Sequence, residues 1–203
     1  MSTDVDTTRR ESPRAVLIIG VHREELGFGD RVAEGLDSGR IDILRIPRGL
    51  PARRPSQEDA FYYRTNHQEL YLQMLPQIRG RYRLVIDLHC GVNEPEPCAD
   101  LFSADPTLLD CACSASEGWA GAGSDLVRAI LLGDAEAEGH CVDMQRLRAH
   151  TIIPEPVWNN PELRYVGLEI FMPEIGADDP VARTLAQDLI RALLDCAAEQ
   201  GVV

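Results

Sequence analysis

The stretch from residue 16 to residue 26, VLIIGVHREEL, places the strongest limit on how this chain can fold. Together with Ala15 it begins as a short aliphatic run rich in β-branched residues, which is typical of a strand buried on both faces of a parallel sheet. Gly20 allows the backbone to turn off the end of that strand. We therefore expect His22 at the carboxyl edge of the sheet, where open α/β sheets place their sites.

His22 also begins a pattern of candidate metal ligands. Glu25 follows it at a spacing that puts both side chains on one face of a helical turn, where they can bind one metal ion. Residues 83–89, RLVIDLH, form a second aliphatic run, which ends in His89. A His, Glu, His set is a usual protein ligand set of a catalytic zinc, with the fourth position left for water.

An interpretation without a metal stays open on spacing alone. In it, His89 is a core histidine whose ring is satisfied by Asp87 or by a backbone carbonyl. Glu24 and Glu25 are then solvated acids that favour the start of a helix through its dipole.

The rest of the chain continues the alternation of strands and helices. Strand patterns cover residues 15–19, 41–46, 83–89, 100–103, 108–113 and 165–171. Helical patterns cover residues 28–36, 69–78, 125–132 and 181–198. No internal repeat or linker interrupts them, so we predict an α/β three-layer sandwich with a mostly parallel central sheet. It forms a single domain over residues 14–203, after a disordered leader at residues 1–13.

The charge balance narrows the classes of partner. The 203 residues carry 20 Lys plus Arg against 33 Asp plus Glu, a net charge of -13, which argues against nucleic acid or a membrane surface as a partner. An anionic small-molecule substrate would need local arginines. Arg53 and Arg54, in a proline-rich loop, are a candidate anion clamp, although a solvated loop explains them equally well. Because no apolar run is long enough to span a membrane and the N-terminus has no signal peptide, we predict a cytoplasmic protein.

Six cysteines are predicted to be reduced thiols, because there is no secretion signal and a chain of this length does not need disulfides to fold. They are Cys90, Cys98, Cys111, Cys113, Cys141 and Cys196. A structural metal on Cys111 and Cys113 is the alternative, but small buried hydrophobes explain the pair without one.

Glu169 is the second unusual acid of the chain. It stands inside the aliphatic run of residues 165–171, YVGLEIF, where a carboxylate is costly unless it is paired, binds a metal or takes part in chemistry. Either it reaches solvent near the end of the strand, or burial raises its pKa and makes it a general base.

Three motifs together resemble the succinylglutamate desuccinylase/aspartoacylase family of zinc hydrolases. They are GVHREELG at residues 20–27, DLH at residues 87–89 and VGLEI at residues 166–170, in the family's order. The resemblance implies a zinc-carboxypeptidase-like fold and a zinc ion held by His22, Glu25 and His89. Glu169 would take the place of the glutamate that activates the water. The N-formylglutamate amidohydrolases look like a group related to this family.

The sequence departs from the family's pattern at two places. Arg23 stands where the family's HGxE motif has glycine. The Asn-Arg pair that grips the substrate carboxylate in the family is here Asn66 followed by His67, with Arg64 two residues earlier. The resemblance implies that Arg64, Asn66 and His67 bind the substrate. Because Asn66-His67 departs from the family's pair, the identity of the substrate stays open.

We therefore predict a zinc-dependent hydrolase that cleaves the amide bond of a small N-acyl amino acid or related amide. The bond cleaved would be a C–N bond other than a peptide bond. A metal-activated water and Glu169 as general base would perform the reaction. The alternative is a non-catalytic metal- or ligand-binding module on the same fold, which the altered residues favour. The position of Glu169 separates the two, because a binding module has little reason to bury a carboxylate beside a metal. A homo-oligomer stays open.

Overall fold

The computed structural model describes residues 14–52, 56–92, 94, 96–117, 119, 126–133 and 147–203. Its strands are β1 (Ala15–Ile19), β2 (Ile41–Arg45), β3 (Leu84–Gly91), β4 (Ala99–Ser103), β5 (Val127–Leu132), β6 (Leu147–Ala149) and β7 (Arg164–Phe171). Its helices are α1 (Leu26–Glu34), α2 (Ala60–Ile78), α3 (Pro106–Ser116), α4 (Glu155–Trp158) and α5 (Pro180–Glu199). The predicted leader, residues 1–13, lies outside the described residues.

The described strands form one seven-stranded sheet with the order β2-β1-β3-β7-β4-β5-β6. Neighbouring strands pair in parallel except β7 and β4, which are antiparallel. The predicted α/β class with a mostly parallel sheet is confirmed. Because β1, β3 and β7 are parallel neighbours, their carboxyl ends meet at one edge of the sheet, and this edge carries the site described below.

Two hydrophobic clusters cover the two faces of the sheet. One joins it to α1, α3 and α5, and contains Phe28, Leu108 and Leu189. The other joins it to α2 and α4, and contains Tyr71 and Val157. Within the described residues, no helix has the length and apolar character needed to cross a membrane.

Two predicted elements have the wrong type. Residues 108–113 lie in helix α3 instead of a strand, because Asp105 accepts hydrogen bonds from the first turn and Pro106 opens the helix. Residues 127–132 form strand β5 instead of a helix, since they pair with β4 and β6. Tertiary pairing outweighs local propensity at this segment.

The prediction that all cysteines are reduced thiols is wrong for one pair. Cys111 of α3 and Cys196 of α5 form a disulfide, with Cα atoms 5.9 Å apart. The two helices pack side by side on one face of the sheet, and this brings together cysteines 85 residues apart in the sequence. The disulfide also removes Cys111 as a thiolate ligand, against the alternative of a structural metal there. Cys141 lies outside the described residues.

Candidate metal centre

The turn after β1 holds the first candidate ligand. Gly20 has a φ of 82°, a conformation that glycine adopts without steric cost. The Leu50 N–H donates to the Val21 carbonyl at 2.8 Å, and the Leu50 carbonyl accepts from the Arg23 N–H at 2.9 Å. These two bonds fix the backbone on both sides of His22.

Glu25 lies just before α1 and turns towards His22. Its Oε1 lies 2.8 Å from Nδ1 of His22, its side chain is 3% exposed, and it forms no capping hydrogen bond with the helix. Glu24, in contrast, is exposed and accepts a hydrogen bond from Ala52. The interpretation of solvated acids at a helix start therefore fits Glu24 and does not fit Glu25.

His89, on β3, completes the group. Its Nδ1 lies 3.3 Å from Oε2 of Glu25, yet neither of these buried atoms has a hydrogen-bond partner among the described residues. One ligand atom from each of His22, Glu25 and His89 lies within 4.8 Å of the others. Buried polar atoms without partners are costly, and a cation bound between them would satisfy both.

A buried carboxylate holds the far side of the His89 ring. Nε2 of His89 lies 3.1 Å from Oδ2 of Asp87, and the same oxygen accepts hydrogen bonds from the hydroxyls of Tyr71 at 2.6 Å and Tyr165 at 2.8 Å. Burial opposes the charge of Asp87, but His89 and the two hydroxyls keep the pKa of its carboxyl below the usual value. Burial lowers the pKa of His89, but Asp87 and Glu25 outweigh burial and raise that pKa well above its usual value. With Nε2–H directed at Asp87, a metal ion would take the place of the proton at Nδ1.

A second histidine holds the far side of the His22 ring. Nε2 of His67 lies 3.0 Å from Nε2 of His22, and Nδ1 of His67 lies 2.7 Å from the Tyr63 carbonyl. Because a carbonyl can only accept, Nδ1 of His67 donates, and its Nε2 is the acceptor for the N–H of His22. Burial lowers the pKa of His67, which favours this neutral form. Nδ1 of His22 therefore faces Glu25 and donates to its Oε1, and a metal ion bound there would replace that proton.

The donor set fits zinc. Two imidazole nitrogens and a carboxylate are ligand types that zinc prefers, and a hydrogen bond on the second ring nitrogen commonly orients zinc-binding histidines. The core-histidine interpretation explains Nε2 of His89, which contacts Asp87, but leaves Nδ1 facing Oε2 of Glu25 at 3.3 Å without a hydrogen bond.

Glu169 lies beside this group on β7. It is the in-register neighbour of His89 on β3 and of Asp100 on β4. Gly91 leaves space for its carboxylate, since a Cβ at that position would lie 2.9 Å from Oε1 of Glu169. Burial raises the pKa of Glu169, and the nearby carboxylates of Asp100 and Glu25 act in the same direction.

The predicted substrate-binding residues are separated by the structure. His67 is 3% exposed and faces His22. Arg64 and Asn66 are exposed on α2, without a hydrogen-bond partner among the described residues. Arg53 and Arg54 lie outside the described residues.

Sequence reasoning missed the two tyrosines that contact Asp87. A signal for Tyr71 was present, because the buried stripe of α2 follows helical spacing and starts at the site: His67, Tyr71, Met74 and Ile78. Tyr165 alternates with Gly167 and Glu169 on one face of β7. That alternation alone does not indicate what the hydroxyl binds.

No family model matches the sequence, and no curated protein matches it either. Among solved structures, murine aminoacylase 3 is 13% identical with a TM-score of 0.46, over 93% of this chain and 65% of that chain. Succinylglutamate desuccinylase from Vibrio parahaemolyticus is 16% identical with a TM-score of 0.45, over 94% and 68%. A metallo-carboxypeptidase from Burkholderia cenocepacia is 11% identical with a TM-score of 0.45, over 93% and 58%. The chain thus spans about 65% of the aminoacylase 3 chain. Its structural neighbours include succinylglutamate desuccinylase, which represents the family that the motifs resemble.

Proposed function

We propose that this protein is a zinc-dependent hydrolase that cleaves the amide bond of a small N-acyl amino acid or a related amide. One observation carries the proposal. His22, Glu25 and His89 converge with their ligand atoms within 4.8 Å, and a buried atom of Glu25 and one of His89 face each other without a hydrogen bond to any described residue.

His22, Glu25 and His89 would hold the zinc ion, with both histidines bound through Nδ1. The ion would supply Lewis-acid polarisation of the amide carbonyl and would lower the pKa of a water.

We assign the role of general base to Glu169. Hydrolysis forms a bond from a water oxygen to the carbonyl carbon and breaks the C–N bond, while one water proton moves to the leaving nitrogen. The Glu169 carboxylate, next to His89 in the sheet, would accept that proton and return it to the amine. Its partial burial favours this role, because a raised pKa brings it closer to the pH at which the enzyme works.

The position of Glu169 supports a hydrolase over a non-catalytic binding module. A module that only held a metal would gain nothing from a desolvated carboxylate in register with a ligand histidine. The structure gives Glu169 no hydrogen-bond or ion-pair partner among the described residues that would account for it as a structural group.

The substrate is proposed to be a small molecule with an anionic end. Arg64 and Asn66 are exposed on α2, in the helical turn that also carries His67, and an arginine can bind a carboxylate through two parallel hydrogen bonds. Arg53 and Arg54 remain part of this proposal on sequence grounds alone.

The test combines metal content with turnover. Wild type, His22→Ala and Glu169→Gln are purified in parallel, their zinc is measured, and each is assayed on a panel of N-acyl amino acids with added zinc. We expect zinc and turnover in wild type, neither in His22→Ala, and zinc without turnover in Glu169→Gln. His150→Ala serves as a control for zinc content, because it removes a histidine outside the ligand group.

The proposal is wrong if wild type carries no more zinc than His22→Ala. Zinc binding without turnover of any member of the panel, in wild type as in Glu169→Gln, would instead favour the binding module.

A further inference from the structure

A pocket of about 180 Å³ adjoins the candidate metal centre, and His89 and Glu169 form part of its lining. We propose that this pocket binds an uncharged, largely apolar group of the substrate, of the size of one amino-acid side chain. This inference rests on the proposed function and specifies the substrate class of the same site.

The walls of the pocket are apolar. Phe102, Leu132 and Ile153 line it, and all three belong to or pack against the hydrophobic cluster between the sheet and α2. Gly167 keeps the space open, because a Cβ at this position would already contact Phe102 at 3.4 Å and the Tyr165 hydroxyl at 3.5 Å. A longer side chain at residue 167 would therefore extend into the pocket.

The charges of the pocket disfavour an anion. Apart from His89, whose ring nitrogens face Glu25 and Asp87, the described lining contains no basic residue other than His150, while Glu169 contributes a carboxylate. Arg128 stands in the same row of the sheet as Glu169, but it is paired with Asp100 at 2.5 Å and with Glu94 at 2.6 Å. A carboxylate of the substrate in this pocket would lie beside Glu169, while the nearest cationic groups, His89 and Arg128, are each paired with two carboxylates already, and a buried charge without a partner is costly.

Polar groups in the lining would orient an uncharged ligand. His150 and Thr151 line the pocket beside the apolar wall, and a few polar groups among apolar side chains are typical of small-molecule sites.

The size of the pocket limits what can enter. Pockets for drug-sized ligands span roughly 300–1,000 Å³, so about 180 Å³ accommodates one group of the substrate. The rest of an N-acyl amino acid, including its carboxylate, would lie outside the pocket. This arrangement agrees with an anionic end bound by exposed residues such as Arg64 and Asn66.

Two ketones of equal chain length and similar size test the charge preference without any cleavage. Levulinate and methyl isoamyl ketone differ only at one end, where levulinate has a carboxylate and the neutral ketone has an isopropyl group. Their dissociation constants are measured by ligand-detected NMR with purified wild type, Thr151→Lys and Thr151→Met. The two variants have side chains of similar length, and both lose the hydrogen bond that the Thr151 hydroxyl accepts from the Ile153 N–H, so they differ in charge.

Wild type and Thr151→Met should bind methyl isoamyl ketone at least about tenfold more tightly than levulinate, because the anion would be buried without a partner. Thr151→Lys should reverse this order. The inference is overturned if levulinate binds wild type as tightly as the neutral ketone does, if the neutral ketone does not bind, or if the two variants show the same preference. Since neither ketone is hydrolysed, the expected binding without turnover of any amide would refute the proposed function and leave the pocket assignment standing.

Discussion

The two histidines of the candidate metal centre are held in different ways. His89 stands on a central strand, and its ring contacts Asp87, a fully buried carboxylate that also accepts two tyrosine hydrogen bonds. His22 stands in a turn, and its ring contacts the neutral imidazole of His67 on a covering helix.

Exposure does not explain the difference, because the side chains of His22 and His89 are 16% and 18% exposed. The chemistry of the acceptor does. A hydrogen bond to a charged group is about twice as strong as one between neutral groups, and Asp87 lies inside the sheet whereas His67 depends on the packing of α2. We call His89, Asp87 and Glu169 the sheet side of the site, and His22 with His67 the helix side. We therefore expect zinc affinity and catalysis to depend more on the sheet side than on the helix side.

The largest effect is expected at Glu169, which belongs to the sheet side. Glu169→Gln removes the base and keeps the shape, so kcat should fall by about 10²–10⁴-fold, while zinc content stays at the wild-type value. Glu162→Gln is the control, since Glu162 is paired with Arg79 on the surface. Retention of a tenth or more of wild-type kcat would remove Glu169 from the reaction.

Asp87→Asn should weaken zinc binding by about 10–100-fold, as loss of such outer contacts does in other zinc sites. The variant keeps the volume but loses the charge next to His89. Zinc affinity is measured by competition with a chelating dye. Asp42→Asn is a matched control, because Asp42 also accepts a tyrosine hydrogen bond, from Tyr82 at 2.7 Å. Asp42 lies on β2, which carries none of the candidate ligands. An equal loss in both variants would show a general effect on folding.

His67→Phe should weaken zinc binding less, by about tenfold or below, because it removes a neutral acceptor. Asn66→Ala, at the exposed neighbouring residue, should leave zinc affinity unchanged. The comparison fails if His67→Phe costs as much zinc affinity as Asp87→Asn. If His67 binds the substrate instead, KM rises while zinc affinity keeps its wild-type value.

Asp100→Asn should shift the acid limb of kcat/KM to lower pH, by about one pH unit or less. Burial and the Asp100 carboxylate raise the pKa of Glu169, as does Glu25, while His89 and His22 lower it. A general base is active when ionised, so the rate falls as pH drops through its pKa, and removing a neighbouring negative charge lowers that pKa. Asp195→Asn, on the exposed face of α5 and paired with Arg40, should keep the wild-type profile. An unchanged limb in Asp100→Asn would dissociate the limb from Glu169.

Local sequence patterns predicted the parts of the fold that depend on local periodicity. Strand β1 has the predicted bounds, and the aliphatic runs that end near His89 and Glu169 form central strands. Strand β5 and helix α3 were assigned wrongly, because pairing with neighbouring strands and the cap at Asp105 decide them. The disulfide required knowledge of which helices pack together.

The candidate site shows the same division. The ends of parallel strands bring the residues of the three motifs to one edge, and this follows from strand order. What lies behind each histidine ring does not follow from the motifs. His67, Tyr71 and Tyr165 reach the site through the packing of α2 over the sheet, which a pattern along the chain cannot specify.

X-ray absorption spectroscopy of the zinc-loaded protein tests the central claim most directly. Zinc bound by His22, Glu25 and His89 should show nitrogen and oxygen neighbours at about 2.0–2.2 Å with imidazole scattering and no sulfur shell, and His89→Ala should lose part of the imidazole signal. A sulfur shell at about 2.3 Å, or a spectrum unchanged in His89→Ala, would contradict the assignment.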